Sequence, residues 1–328
     1  MDLIAALETG LRAALGPTAA AYALLAIGLN VHYGFTGLLN FGQVGFMLVG
    51  AYGLGISVVV LGWSLWVGIL VGILAAIGLA LLLGAPTLRL RADYFAITTI
   101  AAAEVLRLLS NSAISTNVTG GPFGLQSIAT EFYAVNPFSR GLTWGPFNYS
   151  PNVTWILTVG WGLAIVMSIL IAVMMKSPWG RVMRSIREDE DAARSLGKNV
   201  FSYKMQSLML GGVMGGLGGI VFTLAGSTVN PNSFRPQITF YAYAMLIIGG
   251  IASRYGPIVG AFIFWFLLQS MSGLVRQAAS ADLLPGWLSG SAAVGGSAFV
   301  LTGILLMLLV VYRPQGMFGN KREIALDA

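Results

Sequence analysis

Residues Ala13–Leu88 read AALGPTAAAYALLAIGLNVHYGFTGLLNFGQVGFMLVGAYGLGISVVVLGWSLWVGILVGILAAIGLALLLGAPTL. No Asp, Glu, Lys or Arg interrupts them. A helix that crosses a bilayer needs about 20 predominantly apolar residues, so this run alone holds three. Gly34, Thr36 and Gly37 break it once, and Gly62 and Ser64 break it again. Working outward, further charge-free runs cover Leu108–Thr130, Gly141–Met175, Met205–Phe234, Pro236–Ser253, Tyr255–Val275 and Leu283–Tyr312.

The whole chain follows the same pattern. Its 328 residues are 56% hydrophobic and 9% charged, whereas a soluble chain carries roughly 25% charged residues. The fold class predicted is all-α, a polytopic membrane bundle of about eight or nine spans within a range of about seven to ten. The spans are expected near 17–33, 38–60, 65–86, 94–113, 153–175, 205–226, 239–253, 256–276 and 295–311. The glycine-rich 38–60 stretch and the short 239–253 stretch read as either re-entrant or tilted. Residues 1–16 place Leu3, Ile4, Leu7, Leu11 and Leu15 at helical spacing between Asp2, Glu8 and Arg12, which predicts an interfacial helix rather than a cleavable signal.

Orientation follows from Lys and Arg, which concentrate on the cytoplasmic side. Seven of the 18 fall in Lys176–Lys204, so 176–204 reads as a cytoplasmic loop. Threading outward brings Arg89, Arg91, Arg254 and the 314–328 tail to the same side. The N-terminus is then expected outside and the C-terminus inside. The 114–152 loop falls outside, and its Gly, Pro, Asn and aromatic residues suit either a cap over a pore or an interfacial aromatic belt.

Several chemistries are excluded. There is no cysteine and one histidine, so thiolate and histidine metal sites have no ligands. No Gly-Lys-Ser/Thr phosphate loop occurs, so ATP hydrolysis would have to take place on another chain. No cofactor is implied. His32 falls near a cytoplasmic span end and reads as interfacial. Glu104 and Arg107 are three apart within one span, and so share a helical face. They fit either a polar contact near a pathway or a local ion pair. Asn30, Asn40, Gln43, Thr98 and Thr99 are neutral polar residues in apolar runs. They suit weak, exchangeable bonds to a passing solute or hydrogen bonds between helices.

Three stretches carry a resemblance. The first runs from Tyr22 to Asn30 and on through Gly37-Leu38-Leu39-Asn40-Phe41-Gly42-Gln43 to Gly50-Ala51-Tyr52. The second is Leu88-Arg89-Leu90-Arg91-Ala92-Asp93-Tyr94-Phe95-Ala96-Ile97-Thr98-Thr99, with Glu104 and Thr119-Gly120-Gly121-Pro122 after it. The third joins Pro178-Trp179-Gly180-Arg181 and Ile186-Arg187-Glu188-Asp189-Glu190 to Ala192-Ala193 and Gly197. Asn230–Phe234, Gly249-Gly250, Gly256-Pro257 and Gly260-Ala261 follow it. In order and over nearly the whole length, the chain resembles the membrane permease subunits of bacterial branched-chain amino-acid importers driven by ATP-binding-cassette ATPases, the LivM-like type. Around Tyr94–Thr99 it is more similar to the amino-acid branch than to the urea branch.

The resemblance implies one permease domain over 1–328 in a bacterial inner membrane. It also implies a second, related permease, two cytoplasmic ATPases and a periplasmic or extracellular binding protein. Asp191-Ala192-Ala193, three residues, then Gly197 is similar to the importer coupling motif, with Asp in place of the usual Glu. In physical terms a short helix offers Ala192 and Ala193 as a small face for a cleft, and Gly197 turns the chain at its end. Arg181, Arg187, Asp191, Ala192, Ala193 and Gly197 are then the expected ATPase contacts. Asn30, Asn40, Gln43, Thr98 and Glu104 are the expected pathway residues. The alternatives are an ion-driven secondary transporter, which would need more buried carboxylate than Glu104, and an intramembrane enzyme, for which no catalytic pair is present.

Overall fold

The computed structural model describes residues 3–144, 147–281, 291–313 and 315–319. Most of the expected 314–328 tail, including Lys321 and Arg322, lies outside the described residues, as do Met1 and Asp2. Helices α1 (Leu3–Ala14) and α2 (Pro17–Leu29) meet at a 52° bend. They are followed by α3 (Gln43–Gly55), α4 (Leu65–Thr87) and α5 (Ala92–Ser110). The 114–152 loop carries two short helices, α6 (Thr116–Thr119) and α7 (Thr130–Ala134). Then come α8 (Pro151–Lys176), α9 (Pro178–Glu188), α10 (Glu190–Ser195) and α11 (Val200–Gly226). The last three are α12 (Gln237–Gly249), α13 (Gly256–Ser280) and α14 (Ser291–Tyr312). Two-residue strands β1 (Leu125–Gln126), β2 (Thr143–Trp144), β3 (Phe147–Asn148) and β4 (Thr228–Val229) form two antiparallel pairs, β1 with β4 and β2 with β3.

Among the described residues, five helices are long and apolar enough to cross a membrane, or six if α1 and α2 count as one broken span. The other expected spans deviate for physical reasons. Helix α5 carries Asp93, Glu104 and Arg107. Helix α12 has 13 residues, about 20 Å at 1.5 Å per residue, against a hydrocarbon core of about 30 Å. Helix α1 packs along α13, where a Cβ on Gly10 would run into Ser270 and one on Gly273 would touch Ala6. The expected surface helix is therefore partly held by the bundle.

Helix α11 is the centre of the bundle. Its glycines bring backbones together, which is how helices associate where no hydrophobic drive exists between them. A Cβ on Gly28 of α2 would lie 2.4 Å from the Gly211 carbonyl oxygen, and one on Gly50 of α3 would lie 2.5 Å from Gly216. Gly72 of α4 faces the Gly50 carbonyl in the same way.

Helices α2 and α3 each end in widened π-helical turns, Asn30–Phe35 and Ile56–Val60. The 114–152 loop is packed down onto the bundle. The Glu131 carboxylate accepts from Leu65 N at 2.7 Å and so caps α4, whose own Ser64 does not. Tyr133 donates to Leu224 O, and Trp155 stacks on Phe132 at 5.5 Å. Arg12 lies over the Tyr149 ring and donates to Asn148 O. Burial pushes the Tyr149 phenol up, and Arg12 partly opposes that.

The C-terminal end of α12 is closed in an unusual way. Gly250 takes φ +107°, a conformation open to glycine, and the chain turns through Ile251–Tyr255. Asn30 holds the turn from both sides, accepting from Ala252 N at 2.9 Å and donating to Ser253 O at 2.8 Å. After α14 the chain folds back, and Met317 N and Phe318 N donate to the free carbonyls of Ile248 and Gly249 at 2.9 and 3.0 Å.

Candidate functional site

The 176–204 segment is a helical hairpin built by local signals. Ser177 ends α8, Pro178 starts α9, and the Asp189 carboxylate accepts from Ala192 N at 2.9 Å as the cap of α10. Gly197 follows at φ +76° with open space around its missing Cβ, so a β-branched residue there meets conformational strain and no clash. Lys198 N closes the turn on Ala193 O. Asn199 then caps α11.

The two alanines have opposite fates. Ala192 is exposed, whereas Ala193 is 1% exposed in a small core with Ile186 and Val200. The expectation that both offer a seating face is corrected: Ala193 fastens α10 to α9 and α11. The exposed tip is Asp191, Ala192, Ser195, Leu196 and Gly197, and Leu196 is 78% exposed. Leu196 went unnoticed in the sequence, where one Leu in a polar loop carries no signal. Arg194 bridges Glu190 and Asp191, and Lys204 also pairs with Glu190. The Arg194 pairs are exposed and contribute little, whereas Lys204 is largely buried.

The hairpin grips the bundle from below. Arg187 donates to Gly34 O at 2.7 Å, at the end of the π-helical turns. Arg184 donates to the Met175 carbonyl at the end of α8, and Trp179 to Gln206 of α11. Thr36 donates to Val31 O and lies 2.7 Å from the Ser207 hydroxyl of α11. Arg181 is exposed on α9.

Directly above lies a buried polar cluster at the break between α2 and α3. His32, Asn40 and Gln43 are completely buried. His32 Nε2 donates to Leu208 O at 3.2 Å, which leaves Nδ1 bare to accept from Asn40 Nδ2 at 3.1 Å. The second Asn40 amide hydrogen goes to Gln43 Oε1 at 3.0 Å, and Gln43 Nε2 donates to Gly211 O at 3.0 Å. Asn40 Oδ1 accepts from Gly42 N, Thr99 Oγ1 from Phe41 N, and Thr239 Oγ1 from Val44 N. The cluster holds an extended backbone segment inside the bundle, where non-helical backbone has to be satisfied by protein. His32 was expected at the interface. It is instead in the core, because α11 supplies a carbonyl to meet it.

Asn30, Asn40 and Gln43 are thus occupied by bonds within the chain. Thr98 is half-buried and bonded to Tyr94 O, and Glu104 is held by Arg107 through two contacts at 2.8 and 2.5 Å. Replacing Gln43 with Leu removes both bonds and leaves an Asn40 N–H unpaired, while Gly211 O keeps its partner within α11. An orphaned buried group costs about 1–3 kcal/mol. The expected outcome is a lower melting temperature of the purified protein, with uptake reduced in proportion to the folded fraction. Unchanged melting would show that the cluster does not stabilise the break.

Among the described residues, no group of His, Asp or Glu is placed to hold a metal. A family profile described as "Branched-chain amino acid transport system / permease component" matches residues 17–311. The chain is 30% identical over 312 residues to the high-affinity branched-chain amino acid transport system permease protein LivM of Escherichia coli (strain K12), covering 92% of this chain and 68% of that one. It is 24% identical over 338 residues to the probable branched-chain amino acid transport permease protein LivM of Methanocaldococcus jannaschii, covering 92% and 91%. It is also 30% identical over 258 residues to the nucleoside ABC transporter permease protein NupC of Lactococcus lactis subsp. cremoris, covering 73% of each. A chain with apolar spans, a hairpin beneath them and this match across its length belongs to the family of branched-chain amino acid transport permease components.

Proposed function

We propose that this chain forms part of the translocation pathway for branched-chain or related hydrophobic amino acids in a cell inner membrane. It works beside a second permease, under two cytoplasmic ATPases and a binding protein on the outer side. The N-terminus lies outside and the C-terminus in the cytoplasm, in keeping with the basic 176–204 loop. The observation that carries the reading is the α9–α10 hairpin. It exposes a small tip made of Asp191, Ala192, Leu196 and Gly197, and it is bonded through Arg187 and Trp179 to the inner ends of two core helices. A push on that tip moves a rigid element that the bundle also contacts, which is what coupling between sites requires.

Asn30, Asn40 and Gln43 support the helix break in this reading. Thr98 and Glu104 remain as pathway contacts on α5, whose face also exposes Tyr94, Ile97 and Val105. Leucine uptake into liposomes tests the assignment. The chain alone is expected to show none with or without an ion gradient, and uptake is expected once ATPases, second permease and binding protein are added with ATP. Gradient-driven uptake by the chain alone would establish a secondary transporter instead.

A further inference from the structure

Helices α8 and α13 leave a groove between them that the transport reading does not use. Trp161, Ser168 and Met175 recur every seven residues on α8 and so share one stripe. Tyr255, at the entry to α13, shares a face with Ile258, Val259 and Phe262 by helical spacing. The Ser168 hydroxyl donates to Arg254 O at 2.8 Å and ties the two walls together at the waist.

The groove differs above and below that waist. Above it, Leu15, Trp161, Ile258, Val259 and Phe262 line an open depression of about 280 Å³. Below it, Arg184 and Arg254 line a cavity of about 350 Å³ with Phe35, Met175, Tyr255 and Phe318, and none of its lining residues is acidic. The lower cavity lies at the inner end of α8, on the same side as the basic hairpin. From Trp161 to Met175 the helix rises about 21 Å, more than half of the roughly 30 Å hydrocarbon core. A groove of that span, apolar above its waist and lined by two arginines below it, matches one class of molecule in both charge and shape.

We infer that the α8/α13 groove binds an anionic phospholipid of the cytoplasmic leaflet, its phosphate between Arg184 and Arg254 and an acyl chain along Trp161, Val259 and Phe262. Basic cavities between helices on the cytoplasmic side suit such headgroups, and Arg pairs well with phosphate. Arg184 also donates to Met175 O, so the headgroup site is built onto the end of α8. The inference stands independently of which solute is carried.

The test uses the full chain in its purified complex, in nanodiscs of equal parts dioleoyl phosphatidylglycerol and phosphatidylcholine, with retained lipid counted by native mass spectrometry. The parent is expected to keep phosphatidylglycerol over phosphatidylcholine. Arg254→Gln should lower retention about tenfold, and Arg254→Lys should restore much of it, which separates lost charge from lost folding. Val259→Trp should also lower retention by filling the acyl channel with both arginines intact. Equal retention of the two lipids by the parent overturns the proposal, as does parent-like retention by the Arg184→Gln/Arg254→Gln double variant. Displacement of the lipid by millimolar inorganic phosphate would make this a free-anion site and overturn it. A lipid-free crosslink from Val259→Cys to a second permease would make it a protein interface and overturn it equally.

Discussion

Gly219→Ala is expected to be among the most damaging single-methyl changes in the chain, and Gly78→Ala to be harmless. A Cβ on Gly219 would sit 1.9 Å from the Met47 carbonyl oxygen and 2.8 Å from its carbon. Both are backbone atoms of α3, so no side chain can swing aside, and α11 itself must move. Overpacking costs about 1–3 kcal/mol, and here the upper end applies because α11 is also held backbone to backbone against α2, where a Cβ on Gly211 would lie 2.5 Å from the Gly28 carbonyl oxygen. Gly78 has nothing within 4 Å of its missing Cβ, and Ala there gains about 0.5–1 kcal/mol of helix propensity over Gly. Accumulation in the membrane and melting of the purified protein measure both effects. The Gly219 variant should be depleted or melt well below the parent, and the Gly78 variant should match or exceed it. Equal melting of the two variants would refute the close packing of α3 on α11.

Ala192→Trp and Ala193→Trp, one residue apart, should fail in different ways. Ala192 is exposed at the tip, so its replacement leaves the hairpin folded and places bulk where an ATPase would seat. The expected result is normal accumulation, loss of ATPase association, and leucine uptake reduced at least tenfold in the assembled importer. Ala193 is enclosed by Ile186 and Val200, so Trp there pries α10 off α9 and α11 at about 1–3 kcal/mol. That variant should show a protease-sensitive hairpin before any question of docking arises. If Ala192→Trp assembles and transports like the parent, the tip is not where force enters.

The contrast between those alanines marks what the amino-acid order could show. Span positions were legible because bilayer thickness forces long uncharged runs, and the expected 65–86 and 205–226 became Leu65–Thr87 and Val200–Gly226. The hairpin was legible because its stop signal is local: Gly197 takes the left-handed φ that its position after a short helix suggested. The burial of Ala193 was not legible, since it depends on Val200 returning from the far side of a turn. The polar cluster was half legible. Asn40 and Gln43 stood out as polar residues after a glycine break, but the carbonyls that engage His32 and Gln43 belong to α11, more than 160 residues on. Nothing in a glycine-rich apolar helix announces which carbonyl faces a neighbour. Leu196 and Glu131 were missed for a related reason, because each acts through its surroundings.

The strap over α12 has a consequence for the order in which the protein can be built. Ile248 O and Gly249 O receive their partners from Met317 and Phe318, residues synthesised nearly seventy positions later. Two more helices, α13 and α14, must enter the bilayer before those carbonyls are met. Until then the carbonyls at the end of α12 have to be met by water at the membrane surface or by the translocation machinery. Biogenesis therefore runs through an incomplete intermediate, and the return of 315–319 is the step that turns an inserted chain into a closed one.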